Sequence, residues 1–251
     1  SGSSISMSDL MPNIKVADFL SNVLKTFNAV LVPVDDTRID IELLETWLGS
    51  GNQRKWTKHI DLQIGHHKKV SVPRTIDMRH KESEDFVNQT FSNQFASPFG
   101  SVHTSPATDF GNETLEIESI FSIVPPTHIN EVNSLNVKTG VTDLQVIHML
   151  DGKGDPTTAD LLMFFYNGQV STSDQWYFEG TQYNTYPQAS TFSSNVTTNN
   201  TYSCGFSLEA SINGAPPTKT IFDQCWLEYV SRIYSSQSRI VEYEAYLPVG
   251  E

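Results

Sequence analysis

Residues 14–62 decide the fold that the sequence predicts, and they read IKVADFLSNVLKTFNAVLVPVDDTRIDIELLETWLGSGNQRKWTKHIDL. The first part predicts an amphipathic helix, because apolar residues recur at i, i+3, i+4, i+7, i+8 and i+11 and form one stripe over about three turns. Asp18 near the start and Lys25 near the end suit the helix dipole, and Asn13 is the candidate N-cap. The stripe consists of Val16, Phe19, Leu20, Val23, Leu24 and Phe27.

A β-hairpin is predicted directly after this helix. Residues 29–34 are rich in valine and too few for another helix, and Pro33 either assigns this strand to a sheet edge or ends it early. Residues 35–37 have turn chemistry. Residues 38–43 then alternate between apolar and polar, which is typical of a half-buried strand. The apolar positions of this second strand are Ile39, Ile41 and Leu43.

The helix is expected to lie on the hairpin, with Phe19 and Phe27 buried against the sheet. The sheet residues expected beneath them are Val30, Val32, Ile39 and Ile41. A Gly-rich turn at residues 49–52 and a returning strand over residues 56–62 complete the segment.

The order of these elements resembles that of a known family. A helix of the form I-K-V-x-D-F-L-x-x-x-x-K-x-F-N, an acidic turn between two strands, a Gly turn and W-T-K-x-I-D are similar to the hub or tail-tip proteins of tailed bacteriophages. The similarity is strongest to virion proteins of long-tailed and crAss-like phages. Further blocks follow in the same order: K-E-S-x-D-F-V-N-x-x-F from Lys81, L-D-x-x-G from Leu150, Y-N-G from Tyr166, and Y-S-S-x-x-R-I-V-x-x-x-A-Y-L-P from Tyr234.

The resemblance implies a structural virion protein and an α+β fold that is mostly β. It implies tail-tube-like β-barrel or sheet elements with small amphipathic helices packed on them. In the family, a homotrimer or other ring joins the tail tube to the tip, contacts tube, tip or fibre proteins, and lines a channel through which DNA passes transiently. The expected location is the virion, assembled in the host bacterial cytoplasm. The chain departs from the family in its polar residues 169–200 and in lacking closing barrel strands, so the barrel is expected to be incomplete or to continue beyond the chain.

Four segments are predicted along the chain. They are a helix-on-hairpin unit (1–64), a β-rich hub segment (65–168), a polar loop or insertion (169–219), and a helix with a barrel strand (220–251).

The β-rich segment is predicted to begin with strand, turn and strand over residues 68–81. A helix capped by Ser83 should follow, then a loop over residues 98–111 and a strand over residues 113–117. Residues 142–150 and 160–166 predict a hairpin. The apolar face of the helix is expected to carry Phe86, Val87, Phe91 and Phe95.

The last two segments contrast in composition. Residues 169–200 consist mainly of Ser, Thr, Asn, Gln and Tyr, which predicts a long polar loop or a set of short surface strands, either solvated or touching another protein. A second amphipathic helix is predicted from Thr220, and residues 239–247 predict a strand that is paired in the particle. The helix stripe is Phe222, Trp226, Tyr229, Val230, Ile233 and Tyr234, and the inward strand positions are Val241, Tyr243, Ala245 and Leu247.

Composition excludes several classes of function. The chain has 251 residues, with 16 basic and 29 acidic ones and a net charge of −13, which argues against binding to a phosphate backbone. No apolar run approaches the ~20 residues of a membrane-spanning helix, and no signal-peptide pattern opens the chain. The chain starts without Met, as a fragment or processed piece would. Cys204 and Cys225 are expected to be thiols in a reducing cytoplasm, the alternative being one disulfide.

No constellation of catalytic residues is visible in the sequence, so no catalytic, cofactor or metal site is predicted and the protein is not expected to be an enzyme. None of the seven histidines has metal-ligand spacing, and His66 and His67 should face opposite sides of a strand. Asp151-Gly-Lys-Gly-Asp155 is similar to a calcium loop, but Lys153 and the missing distal Glu favour a turn. The paired carboxylates Glu116/Glu118 and Glu242/Glu244 are expected on solvent faces.

The alternative interpretation is a carbohydrate-binding or adhesin-like β-domain of a tail fibre or surface protein. Exposed aromatic rings in a polar setting suit stacking on sugars. The residues that favour this alternative are Trp176, Tyr177, Tyr183, Tyr186 and Tyr202.

Overall fold

A computed structural model describes residues 14–51, 55, 57–105, 113–125, 127–129, 144–146, 151–153, 161–178, 181–193, 202–207 and 219–246. The fold is mixed α+β, with more residues in strands than in helices. The α-helices are α1 (Val16–Thr26), α2 (Leu44–Ser50), α3 (Phe86–Phe95) and α4 (Leu227–Ile233), and a π-helical turn (Phe222–Trp226) leads into α4. The strands are β1 (Ala29–Pro33), β2 (Ile39–Leu43), β3 (Ile60–Lys69), β4 (Thr75–His80), β5 (Val102–Thr104), β6 (Thr114–Ser119), β7 (Thr127–Ile129), β8 (Leu144–Val146), β9 (Phe165–Phe178), β10 (Thr181–Ser190) and β11 (Arg239–Ala245).

A three-stranded sheet in the order β5-β4-β6 lies at the centre of the molecule. β4 pairs in parallel with β6 and antiparallel with β5. Alternation along β4 buries Ile76, Met78 and His80 on one face, as the period of two in a strand requires. The other strands of the described part form two-stranded ribbons, β1-β2, β9-β10, β3-β11 and β7-β8, and none of these sheets closes into a barrel.

The main core packs the central sheet against the C-terminal helix. Trp226 and Val230 join Ile76 and Met78 in one buried cluster, which also contains Ile117, Phe206 and Ile221. The end of α1 is attached to the same region, because the Trp226 Nε1–H donates to the Thr26 carbonyl at 3.0 Å. Residues from all four segments of the sequence therefore meet in this core, since Phe27 also packs against it.

Gly100 occupies a position where only glycine fits. Its φ is +72°, and an added Cβ would lie 2.6 Å from Ile123 Cδ1 and 3.0 Å from the Gly205 Cα. The Phe206 N–H donates to the Gly100 carbonyl at 2.7 Å, which fixes residues 202–207 across the core. This contact adjoins a second buried cluster of Phe99, Ile123, Phe192 and Cys204.

The predicted helix α1 and hairpin β1-β2 are confirmed and α1 contacts β1, but the predicted packing of α1 on Ile39 and Ile41 is wrong. Phe19 is half-buried and lies edge-to-face with Phe121, with 5.9 Å between ring centroids. The four residues expected on one face lie on two different sides of the hairpin. Val30 pairs with Glu42 on one side, whereas Ile41 pairs with Leu31 on the other. α1 contacts β1 and β6, while Ile39 and Ile41 are 60% and 53% exposed. The apolar stripe of α1 packs against β6 and the main core near Trp226 instead of against Ile39 and Ile41.

The boundaries of several N-terminal elements also differ from the prediction. The residue before α1 is Lys15, which makes no side-chain cap, and Asn13 lies outside the described residues. The predicted Gly turn is preceded by a short helix, α2. The returning strand starts at Ile60 rather than at residue 56 and extends to Lys69, and residues 70–74 are not a strand.

Helix α3 is capped by Asp85 rather than by Ser83. The Asp85 carboxylate accepts hydrogen bonds from the backbone N–H groups of Val87 and Asn88, both at 3.0 Å. Aspartate is a stronger cap than serine here because its buried carboxylate also accepts from the Asn88 side chain at 2.6 Å. The predicted apolar face of the helix is only partly buried, because Phe86 and Phe95 are exposed.

The predicted hairpin of residues 142–150 and 160–166 is not present in the residues of this region that the structure describes, 144–146 and 161–166. In the part of this region that the structure describes, β8 pairs antiparallel with β7, and Leu162 bridges Ser122. The predicted loop over residues 98–111 contains β5, which pairs with β4. The predicted strand near residues 113–117 is confirmed as β6.

The polar segment from residue 169 onward belongs to a long antiparallel hairpin, β9-β10. The sequence allowed either a long polar loop or a set of short surface strands here. The structure has strands, and they are long rather than short. Tyr and Thr favour extended backbone, which accounts for strands in a segment with almost no aliphatic residues. The register pairs Tyr183 with Trp176 and Tyr186 with Val170, with irregularities near residues 184 and 188.

The C-terminal helix begins where the sequence predicted. Thr220 and Asp223 cap it reciprocally, because the Thr220 N–H donates to Asp223 Oδ2 at 2.9 Å and the Asp223 N–H donates to Thr220 Oγ1 at 3.1 Å. β11 is confirmed as a strand and pairs antiparallel with β3. Its predicted inward face is wrong for the isolated chain, because every residue from Arg239 to Ala245 is exposed, and Leu247 lies outside the described residues.

Candidate functional site

Two exposed ribbons carry distinctive surfaces in the part of the chain that the structure describes. One face of β1-β2 is wholly apolar, and we call it the apolar hairpin face; it consists of Ala29, Leu31, Pro33, Ile39, Ile41 and Leu43. One face of β3-β11 carries cations and an aromatic ring, and we call it the basic ribbon face; it consists of Gly65, His67, Lys69, Arg239, Val241 and Tyr243.

The apolar hairpin face is built by the register of β1 and β2. Leu31 lies opposite Ile41, and Pro33 lies opposite Ile39, so their side chains share one side of the ribbon. The large side chains of this face are all exposed, although they are the alternating residues that a strand normally buries. α2 follows β2 directly and exposes Trp47 and Leu48, which extends the apolar surface of this segment.

Negative charge lies at the turn of the hairpin, where Asp35 and Asp36 are exposed beside the apolar hairpin face. Of the other carboxylates in residues 29–50, Asp40 pairs with Arg38 and Glu45 pairs with Arg232. At the turn, the backbone N–H and the hydroxyl of Thr37 both donate to Asp35 at 2.8 Å. These hydrogen bonds lower the pKa of Asp35, so its carboxylate is ionised at neutral pH.

The basic ribbon face is organised around Tyr243. An added Cβ at Gly65 would lie 2.8 Å from Tyr243 Cε1, so the tyrosine ring lies directly against the Gly65 backbone. The His67 ring meets Tyr243 edge-on, with 6.2 Å between centroids. On the opposite face, Lys68 Nζ pairs with Glu242 at 2.9 Å, so the carboxylate of β11 nearest this aromatic pair points away from the basic side.

Both ribbons have only two strands in the part of the chain that the structure describes. A two-stranded ribbon is marginally stable in water, and an unpaired strand edge is a template for pairing with another chain. The apolar and basic faces therefore lie on elements that gain stability when another surface covers them.

His80 is the histidine whose pKa burial shifts most clearly in the described part of the structure. It is buried at the end of β4 and stacks on Phe206, with 4.8 Å between ring centroids. Neither ring nitrogen has a hydrogen-bond partner. Burial lowers the pKa of His80 to about 4, and the backbone at Cys204 and Phe121 opposes this shift.

The other histidines that the structure describes are dispersed. His66 and His67 are exposed on opposite faces of β3, as predicted, and His103 is exposed on β5. The side chains of His128 and His148 lie outside the described residues. Among the residues with described positions, no group of three His, Cys, Asp or Glu side chains is placed to hold a metal ion.

Cys204 and Cys225 are both free thiols and line one apolar cavity of about 330 Å³. Burial raises the pKa of Cys204 to about 12 and that of Cys225 to about 11. A thiol that stays protonated at neutral pH is a poor nucleophile, so these residues act as small apolar groups.

A second cavity, of about 340 Å³, lies along one side of α3 and is mainly polar. Its lining includes Ser83, Asn88, Gln89, Ser92 and Asn93 above Phe99 and Ile123. Asn88 Nδ2 is already committed to the fold, because it donates to Asp85 and to the Ile123 carbonyl. The lining therefore combines neutral hydrogen-bonding groups with the charged residues Lys81 and Glu82.

The acidic pairs singled out from the sequence have structural partners. Glu116 and Glu118 are exposed on β6, as predicted, and both pair with Arg79, at 2.6 and 3.3 Å. The Asp151 carboxylate accepts the Lys153 N–H at 2.8 Å, which is the predicted turn chemistry.

The aromatic residues of the carbohydrate alternative are only partly described. Tyr183 is exposed on β10, whereas Tyr202 is half-buried and lines the apolar cavity with the cysteines. These two rings therefore belong to different surroundings. The side chains of Trp176, Tyr177 and Tyr186 lie outside the described part of the structure.

Comparison with known proteins adds no relative. No protein-family model, no curated protein and no solved structure matches the chain. Among the helices that the structure describes, none is long and apolar enough to cross a bilayer.

Proposed function

We propose that the protein is a structural component of a phage tail, a hub or tail-tip protein that assembles into a ring between the tail tube and the tip. The observation that carries this proposal is the pair of exposed two-stranded ribbons, β1-β2 and β3-β11. The order of sequence blocks adds the family resemblance, which supplies the tail context.

The ribbons support an assembly role because they expose what a folded monomer normally buries. Ile39 and Ile41 present most of their surface to solvent on an alternating strand. A neighbouring subunit that covers such a face removes apolar area from water and can add strands to the open edges. In the proposed ring, tail-tube-like barrel walls are completed between copies rather than within one chain.

The acidic balance suits a channel through which DNA passes without binding. A net charge of −13 repels a polyanion, so a wall of this charge does not retain it. We propose that the protein acts through interfaces and not through a reacting residue, so it is not an enzyme.

Imaging of the purified protein and of the virion tests this proposal. We expect a threefold or sixfold ring around an open channel, with interfaces of roughly 1,200–2,000 Å² or more. Native mass spectrometry of the same sample counts the subunits. A protein that stays monomeric at all concentrations examined contradicts the proposal.

The carbohydrate-binding alternative is favoured by one observation, the exposed Tyr183 in the long β9-β10 hairpin. It predicts a monomer at the outer end of a fibre and a Tyr183→Ala variant that loses binding on a glycan array. Ring formation together with an unchanged array signal counts against it.

A further inference from the structure

We infer that the apolar hairpin face of one copy docks on the basic ribbon face of the next copy, so that the subunits join head to tail. This inference rests on the proposed function, because it identifies the surfaces through which the ring is built. The occupant of the apolar hairpin face is thus a second copy of this chain.

The chemistry of the basic ribbon face fits this role. Tyr243 and Val241 supply apolar area, His67 lies opposite Val241, and Arg239 and Lys69 lie together at one end of the same side of the ribbon. The Tyr243 ring is held against Gly65, so little side-chain freedom is lost when a partner covers it. Tyrosine and arginine are also the residues most often found to dominate interface energies.

Charge complementarity selects between the possible pairings. The hairpin turn exposes Asp35 and Asp36 beside the apolar hairpin face. The one carboxylate within residues 65–69 and 239–243, Glu242, lies on the face opposite the basic ribbon face. Two β1-β2 hairpins facing each other would bring like charges together, and so would two basic ribbon faces. A β1-β2 hairpin against a basic ribbon face is the arrangement that pairs opposite charges.

Head-to-tail contact has a geometric consequence. Because each copy donates one face and receives on the other, every copy can bind two neighbours, and the chain of subunits closes when the rotation per contact divides a full turn. A self-complementary contact would stop at a dimer. Two different binding faces on one chain therefore suit a ring.

The inference is tested with two variants that each damage one face. Ile41→Lys places a cation on the apolar hairpin face, and Val241→Glu places a carboxylate on the basic ribbon face. We expect each to raise the concentration for half-assembly by ~30-fold or more, as loss of a central interface residue does. Ile240→Glu is the matched control, because Ile240 is 45% exposed beside Val241 at 43% but lies on the opposite face.

Mixing the two defective variants distinguishes the pairings. Each retains one intact face, so we expect the mixture to form a 1:1 pair in native mass spectrometry while neither variant associates alone. Tyr243→Ser replaces Val241→Glu if the latter fails to fold, as judged by circular dichroism. Formation of the pair also demonstrates that both variants are folded.

Three results overturn the inference. If Ile41→Lys blocks assembly but Val241→Glu and Tyr243→Ser do not, the hairpin packs on itself. If all variants form the same rings as the parent, the ring uses other surfaces, and the proposed function survives without this interface. If the parent itself stays monomeric, the proposed function fails as well.

Discussion

At the scale of single residues, the burial of His80 follows from strand alternation and not from a chemical role of its side chain. It follows Ile76 and Met78 on the buried face of β4 and stacks on Phe206 in the core. An imidazole without hydrogen-bond partners in such a site is kept neutral, because charging it would bury an unpaired cation.

The buried imidazole of His80 makes stability depend on pH. The unfolded chain takes up a proton at this residue below pH 6.5 and the folded chain only below about pH 4, so stability falls as the pH drops through this window and is unaffected by His80 above it. Between pH 7.5 and 5.0 we expect the parent to lose about 2 kcal/mol more than His80→Leu. Urea unfolding at both pH values measures the difference, and parallel losses in the two proteins would refute it.

Phe206 and Phe19 allow the loss of a fully buried ring to be compared with the loss of a half-buried one. Phe206 is 1% exposed inside the main cluster, so Phe206→Ala should cost ~3–5 kcal/mol. Phe19 is only half-buried against Phe121, so Phe19→Ala should cost less, about 1–3 kcal/mol. Equal losses in denaturant unfolding would show that α1 is more deeply packed than its exposure indicates.

At the scale of elements, Asp85 determines where α3 begins. Asp85→Ala removes the acceptor of two backbone N–H groups and should cost ~1–2 kcal/mol. Ser83→Ala is the control, because the Ser83 hydroxyl accepts a single long hydrogen bond of 3.4 Å from the Asp85 N–H. We expect the control to stay within about 0.5 kcal/mol of the parent in thermal unfolding. A larger loss of stability in Ser83→Ala than in Asp85→Ala would indicate that Ser83 is the cap.

The elements should also differ in local stability. β4 is hydrogen-bonded on both sides, whereas β1-β2 and β3-β11 are two-stranded and exposed. We expect hydrogen exchange in dilute protein to be fastest in the two ribbons and slowest in β4, and the ribbons to become protected on assembly. Ribbons as slowly exchanging as β4 in the dilute chain would contradict this.

At the scale of the whole molecule, charge is distributed unevenly. The chain carries −13 overall, yet one face of β3-β11 is basic and uninterrupted by carboxylates. Lys69 and Arg239 are too few to neutralise a run of phosphates against that background.

We therefore predict that the protein does not bind duplex DNA by itself. A gel-shift titration at micromolar protein should show free DNA at low and at physiological salt. Lys69→Glu is the control, because it removes charge from the basic ribbon face and should change nothing in this assay. A shift in the parent that disappears with salt would contradict the prediction.

The sequence by itself determined the helices and strands in which apolar residues recur at a regular period. The stripe from Val16 to Phe27 predicted α1, and the alternation of residues 38–43 predicted β2, because helix and strand periods place side chains without reference to distant parts of the chain. The stripe from Phe222 to Tyr234 likewise predicted the C-terminal helix. The caps and turns were predicted less well, since Asp85 and Ser83 have similar local chemistry.

Only the tertiary structure decided which faces are covered. The sequence indicated that Ile39 and Ile41 lie under α1, but Thr26 and Phe27 are held instead by Trp226, about two hundred residues away. The pairings of β4 with β6 and of β3 with β11 also join strands that are far apart in the sequence. Burial is settled by competition between surfaces that meet only after folding, and periodicity carries no information about that competition. The exposed ribbons therefore became visible only in three dimensions.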